Sequence, residues 1–211
     1  MSEEHLCVRC ARLGPTCCQS CQIYVGPGDA ERISQYVGEP VEAFADFRYP
    51  DDPIYLTAHD DDPIWPRTVI REDGHRRVLN RRENGDCTFL GPTGCRLPLE
   101  VRPLVCRLYP YDYNQAGIKP RLASGCPVQL LPPGRSLLQE LDMNLADAER
   151  WHRMLYDEIL REPHARLDDL PPGVLPANGA TNAATNAPAG EASGAGNGTS
   201  DAAAAAATEK G

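Results

Sequence analysis

Nine cysteines fall in two groups, Cys7, Cys10, Cys17, Cys18 and Cys21 near the start and Cys87, Cys95, Cys106 and Cys126 further on. Cys7 and Cys10 form a CxxC turn, which sets two thiolates on one side of a tight loop and can grip one metal ion that needs two more ligands. Cys17 or Cys18, together with Cys21, can supply them. Side chains of adjacent residues diverge, so Cys17 and Cys18 are not expected to bind one ion in the same way, and Cys18 is the weakest ligand candidate. The downstream cysteines are separated by seven, ten and nineteen residues and make a second set of four. Two four-thiolate sites would use eight of the nine. Ligands mixed from both groups around one or two centres are the alternative, and the sequence does not choose between these partitions.

A single free cysteine is often only a small buried hydrophobe. Clustered soft ligands are what zinc and iron–sulfur sites need, and CxxC, CCxxC and four more thiols point to metal binding. The looser downstream spacing favours an iron–sulfur cluster over zinc, because zinc ribbons use paired CxxC turns.

Composition narrows the setting. The 211 residues, 41% hydrophobic, suffice for one ordinary domain. A net charge of -9 argues against a nucleic-acid partner, which normally meets a basic face. Arg71, Arg76, Arg77, Arg81 and Arg82 are the one basic concentration and read as a solvated hairpin face. The start of the chain has no basic and apolar secretory pattern, and no stretch approaches the roughly 18 apolar residues needed to cross a bilayer. The expectation is a cytoplasmic protein with no membrane partner, whose thiols stay reduced rather than forming a disulfide framework.

The elements expected to position the thiols are modest. The first cysteine group, with its Gly14-Pro15 turn signal, reads as an irregular loop shaped by its ligands. Asp29 is an N-cap candidate for a short helix from Ala30 to Val37 that Gly38 closes, and a second helix is expected from Val41 to Phe47. Tyr49 to Pro66, rich in Asp and Pro, reads as a surface loop. Thr68 to Ile70 and Val78-Leu79 resemble two strands joined at Asp73-Gly74. Pro103 is placed to begin a short helix through Cys106. From Ser136 to Pro163, Leu138, Leu141, Leu145, Ala148, Trp151, Leu155 and Ile159 recur at helical spacing, predicting one long amphipathic helix packed on the cysteine-bearing part. Beyond about Pro171 the Ala, Gly, Asn and Thr composition predicts disorder. The expected fold class is α+β: an irregular, metal-bound cysteine-cluster domain over residues 1–134 with short helices and a β-hairpin, a C-terminal amphipathic helix over 135–170, and a disordered tail over 171–211.

Gly14-Pro15-Thr16-Cys17-Cys18, Asp29 with Arg32-Ile33, Gly85-Asp86-Cys87-Thr88-Phe89-Leu90, Gly94-Cys95, and the RPxxCRxYP block, Arg102-Pro103-Leu104-Val105-Cys106-Arg107-Leu108-Tyr109-Pro110, resemble the YkgJ family of cysteine-cluster proteins, also described as a zinc- or iron-chelating domain. The resemblance spans about Cys7 to Cys126. The family's compact CxxCxxCC differs from the arrangement here, where six residues separate Cys10 from Cys17 and Cys21 is additional. The resemblance implies metal chelation. Some relatives carry the domain in lysine N-methylases acting on flagellin, but no glycine-rich nucleotide-binding signature accompanies it here.

Arg102 and Arg107 can bond thiolate sulfur or an anion, or more plainly pair with Asp112 or Glu100; their charge beside Cys106 would favour thiolate over thiol. Tyr109, Tyr111 and Tyr113 alternate as on a strand edge. His5 lies near enough in sequence to Cys7 to be a ligand, while His59, His75, His152 and His164 suggest surface positions; none is assigned. No nucleophile can be paired with a base, so catalysis is left open. The leading expectation is a metal-binding protein, with a redox or protein-modifying enzyme using an iron–sulfur centre, or a zinc-stabilised module that meets a protein partner, as alternatives.

Overall fold

The computed structural model describes residues 5–52 and 61–169. The chain separates into two units, 1–179 and 180–211, and every described residue belongs to the first. The expected disordered tail, and residues 53–60 of the acidic loop with His59 among them, lie outside the described residues.

The fold is α+β, made of short helices and small antiparallel strand pairs. Two brief helices carry the first cysteines, α1 (Leu6–Cys10) and α2 (Cys17–Ser20), so this segment has more regular structure than the expected loop. Helix α3 (Pro27–Val37) starts earlier than expected. Asp29 is not its N-cap: it sits one turn in, and its Oδ2 accepts from the Gly26 N–H at 3.1 Å. Gly38 closes the helix at φ 73°, a left-handed geometry that costs glycine nothing.

The expected helix over Val41 to Phe47 is instead a single 3-10 turn, Val41–Ala43, followed by strand β1 (Ala45–Arg48). Strand β1 pairs antiparallel with β2 (Arg76–Leu79) in the register Ala45↔Leu79 to Arg48↔Arg76. Ile23 to Val25 runs along the other side of β2, where Leu79 N–H donates to Ile23 O at 2.9 Å and Val25 N–H to Arg77 O at 3.0 Å. The partner of β2 is therefore not Thr68 to Ile70. Those residues end or follow helix α4 (Ile64–Val69). Asp62 Oδ1 accepts from Trp65 N–H at 3.2 Å at its start, and Thr68 Oγ1 donates to Ile64 O at 3.0 Å, so local bonds outcompete the β-branched preference for strand. A turn does form at Asp73-Gly74, with Gly74 at φ 80°.

Two further hairpins follow: β3 (Leu90–Gly91) with β4 (Gly94–Cys95), and β5 (Tyr111–Asn114) with β6 (Gly117–Leu122). Between them Pro103 caps α5 (Leu104–Leu108), as its fixed φ allows. The expected long C-terminal helix is two: α6 (Leu137–Glu140) and α7 (Leu145–Ile159). The chain breaks at Asp142, whose φ is 53°, and restarts at Asn144, whose side chain accepts from Asp147 N–H.

The core has two apolar clusters. In one, Ala148, Trp151, Leu155 and Ile159 of α7 pack on Leu104 and Leu108 of α5 and on Ile64 and Val69 of α4. The other gathers Val25, Ile33, Phe44, Leu79, Phe89 and Leu97, with Cys18, Cys87 and Cys95 packed among them.

Candidate functional site

Each cysteine is held by a local device. His5 caps α1, its Nδ1 accepting from Cys7 N–H at 3.2 Å, so its ring works on backbone. One helical turn then puts Cys7 and Cys10 on the same side of α1. Arg9 fastens that helix downstream, donating to Leu130 O at 3.0 Å and pairing with Glu140. Cys10 and Cys126 consequently line the same open cavity, of about 290 Å³, with Gly14, Pro15 and Gly125.

Helix α2 is pinned differently. Gln19 accepts from Thr16 N–H at 3.1 Å and donates to Asp86 Oδ1 at 3.0 Å, next to Cys87. Cys18 O accepts from Cys87 N–H at 2.7 Å. Cys95 faces Leu90 across the β3–β4 pair, and Cys106 rides on α5.

The thiols sense one another. Burial pushes Cys7 up to about 11, and potential charge at Cys17, Cys126 and Cys10 adds to the rise. Cys10 is raised by burial and by Cys17, and Cys126 by burial, with the Tyr109 hydroxyl bond opposing and Cys17 and Cys10 reinforcing. Cys17 is lowered to about 7, chiefly by the bond from the Cys18 thiol, and Cys18 is correspondingly raised, with Cys106 and Cys87 contributing. Cys87 is raised by burial and Cys95; Cys106 stands well above its ordinary value through burial, then Cys17, Cys87 and Cys95. Crowded thiols resist ionising because each new negative charge raises the cost of the next.

The expectation that arginines favour thiolate at Cys106 is corrected. Arg107 is buried and occupied: Nη1 pairs with Glu100 at 3.1 Å, Nη2 donates to Glu100 O at 2.5 Å, and Nε donates to Arg102 O at 2.8 Å. Arg102 donates to Leu97 O at 3.0 Å. Both act as backbone clamps that shape the approach to α5. Of the upstream arginines, Arg71 and Arg82 keep exposed side chains as expected, but Arg76, Arg77 and Arg81 turn inward. Arg76 is buried and donates to Gln22, Arg77 pairs with Glu162 at 3.4 Å, and Arg81 and Arg82 donate to backbone carbonyls. His152, expected at the surface, is buried, its Nε2 2.7 Å from Asn114 O.

Residues without an assigned site role prove central to positioning. Asp29 is fully buried; its Oδ1 accepts from Leu104 N–H at 3.0 Å, tying the start of α3 to the helix that carries Cys106. Arg32 bonds Asp29 at 2.6 Å and Glu158 of α7 at 2.5 Å. Glu158 in turn lies so close to Gly28 that a Cβ there would stand 2.4 Å from its carboxyl carbon. The short run Gly26-Pro27-Gly28-Asp29 carried the signal: a helix start in which glycine at position 28 leaves room for the Glu158 carboxylate.

No family model, curated protein or solved structure matches the chain. All nine cysteines are free. Among the described residues no group of three or more Cys, His, Asp or Glu side chains is arranged to hold a metal ion. The donor set thus fits a soft metal in its chemistry, reduced sulfur from several elements, but the sulfurs are not drawn in to ligating positions. Among the described residues, no helix is long and apolar enough to cross a membrane.

Proposed function

We propose that this chain binds metal through its clustered cysteine thiolates, as an iron–sulfur cluster or as zinc, in a reducing cytosol. The observation that carries the reading is that separate segments, around α1, α2, β2 to β4, α5 and Pro127, bring free thiols within reach of one another's charge with no disulfide among them. Such crowding is costly for thiolates alone and is relieved by a bound cation. The resemblance of the Cys7 to Cys126 segment to the YkgJ cysteine-cluster proteins agrees with this role.

Within that role His5, Arg9, Gln19, Arg102 and Arg107 orient backbone, and the cysteines supply the donors. The bound metal contributes positive charge that holds the thiolates together. Elemental analysis with a visible spectrum on anaerobically purified full chain tests the proposal. The expected result is stoichiometric zinc in a colourless protein, or iron and sulfide with an absorption band that bleaches on reduction. A folded, reduced chain that carries and takes up neither would overturn it.

A further inference from the structure

Two arginines converge on one carbonyl at the β3–β4 hairpin. Arg82 Nη2 donates to Thr88 O at 2.9 Å and to Leu90 O at 2.5 Å, and Arg96 Nη2 donates to the same Thr88 O at 2.8 Å. Two exposed guanidiniums therefore stand side by side at an open cavity of about 390 Å³, whose other walls are Asp86, Leu90, Gly91 and Pro92. A side chain at position 91 would block this arrangement, since a Cβ there would stand 2.9 Å from Arg96 Cγ. We propose that Arg82 and Arg96 bind a phosphate group, as inorganic phosphate or as the phosphate of a small ester. This site is separate from the metal binding proposed above and does not depend on it.

Neither charge is neutralised by the protein. Among the described residues Arg82 and Arg96 meet backbone carbonyls and no carboxylate, whereas Arg9, Arg32, Arg77, Arg107, Arg121 and Arg150 each pair with one. Asp86 shares the cavity, yet its Oδ1 accepts from the Gln19 amide at 3.0 Å and its Oδ2 from the Asn84 amide at 2.8 Å. Both arginines spend only Nη2 on the hairpin, which leaves the Nε and Nη1 donors of each open to a ligand. Like charges held together repel, and an anion between them relieves that cost. A carboxylate is matched by a single guanidinium fork; a phosphate carries up to two charges and three acceptor oxygens, which suits two forks. In a chain of net charge -9 such a local pair fits one small anion and not a polyanion. Leu90 and Pro92 give the cavity an apolar wall for the organic part of an ester.

Phenylglyoxal modifies guanidinium nitrogens, and a bound phosphate shields them. The reduced full chain is treated with it at matched ionic strength in chloride, with rising inorganic phosphate or phenyl phosphate, and modification is mapped by peptide mass. At ten times its Kd, either probe should slow reaction at Arg82 and Arg96 about tenfold. Arg121, exposed and paired with Asp112, should be unaffected. Phenyl phosphate acting at lower concentration than inorganic phosphate would assign the site to an ester, and the reverse order to the free ion. Arg96→Lys keeps the charge and loses the fork, so protection of Arg82 should then need about tenfold more phosphate. Equal slowing at Arg121 would reduce the effect to ionic screening and overturn the site. Rates at Arg82 and Arg96 that phosphate leaves unchanged in the wild type, or Arg82 protection that Arg96→Lys leaves intact, would overturn it as well.

Discussion

Around α7, twelve buried residues make one apolar cluster in which Ile64, Leu104, Leu108, Ala148, Leu155 and Ile159 have no exposed surface, whereas α1 buries only Leu6 and α2 buries nothing. Burying a leucine or isoleucine contributes roughly 1.5–3 kcal/mol, so the helical half holds itself together by packing. The segments that bear the first cysteines rely on caps and clamps, such as His5 on α1, Gln19 on α2 and Arg9 across to Leu130, each worth only about 1 kcal/mol. The contrast locates the work expected of a metal: it matters where the apolar core is thin.

If the chain binds metal as proposed, the largest expected effect comes from chelating it under reducing conditions. In small metal-folded domains the coupled free energy is on the order of 10 kcal/mol. Chelation should therefore raise amide exchange in Leu6–Cys10 and Cys17–Ser20 by orders of magnitude. Both tryptophans, Trp65 and Trp151, lie in or against the helical cluster, so their near-UV signal and the protection of α7 should survive. Leu155→Ala is the reciprocal perturbation, expected to cost about 3 kcal/mol and to lower the thermal transition read by those tryptophans. If both treatments erased the same signals together, the two halves would be one cooperative unit and the contrast would be wrong.

Asp29 joins the halves and sharpens the comparison through pH. Burial holds its carboxyl up at about 6 against the pull of Arg32, and Glu158 adds to the rise. Arg32, Glu158 and Arg107 are the charged groups whose fields reach it. Because the folded pKa lies above the unfolded value of 3.8, the native state binds more protons between about 4 and 6. The Asp29 contribution to stability is greatest below that interval and falls as pH rises through it, by on the order of 2–3 kcal/mol. Asp29→Asn should be less stable overall, yet flat over the same interval in urea midpoints. Parallel slopes in variant and wild type would show that another group carries the dependence.

Much of this architecture is legible in local sequence, and the rest depends on distant partners. Pro103 before Cys106 and Gly38 after Val37 are local punctuation, and both mark helix boundaries in the fold. Ala45 to Arg48 carries no local strand signal strong enough to beat a helix reading; it is a strand because Arg76 to Leu79 offers an open edge some thirty residues away. The arginine cluster misleads for a related reason, since its carbonyl and carboxylate partners come from Gln19, Val25 and Glu162. The cysteine groups are visible as groups. What joins them is a long-range contact, the Cys87 N–H donating to Cys18 O at 2.7 Å, and no spacing rule encodes that.

The break between α6 and α7 provides the smallest expected effect and the one whose sign is informative. An apolar stripe runs from Leu138 to Ile159, so periodicity alone predicts a continuous helix in which Asn144 is an interior residue. At an interior position, Asn→Ala should stabilise by about 0.6 kcal/mol, because alanine has the higher helix propensity. In the structure Asn144 is instead the cap of α7: its side chain accepts from Asp147 N–H at 2.9 Å, and its amide donates to the Asp147 carboxylate at 2.8 Å. Asp142, in left-handed backbone two residues earlier, ends the previous helix. Alanine at a cap leaves an amide donor unpaired, and Asn144→Ala should destabilise by about 1 kcal/mol in chemical denaturation. Ser136→Ala at the start of α6 should cost a similar amount, since its Oγ accepts from Gln139 N–H at 3.3 Å. The two substitutions must agree in sign if there are two helices and disagree if there is one. A stabilising Asn144→Ala would restore the continuous helix and extend the well-packed half of the molecule back to the segment that Arg9 holds against α1.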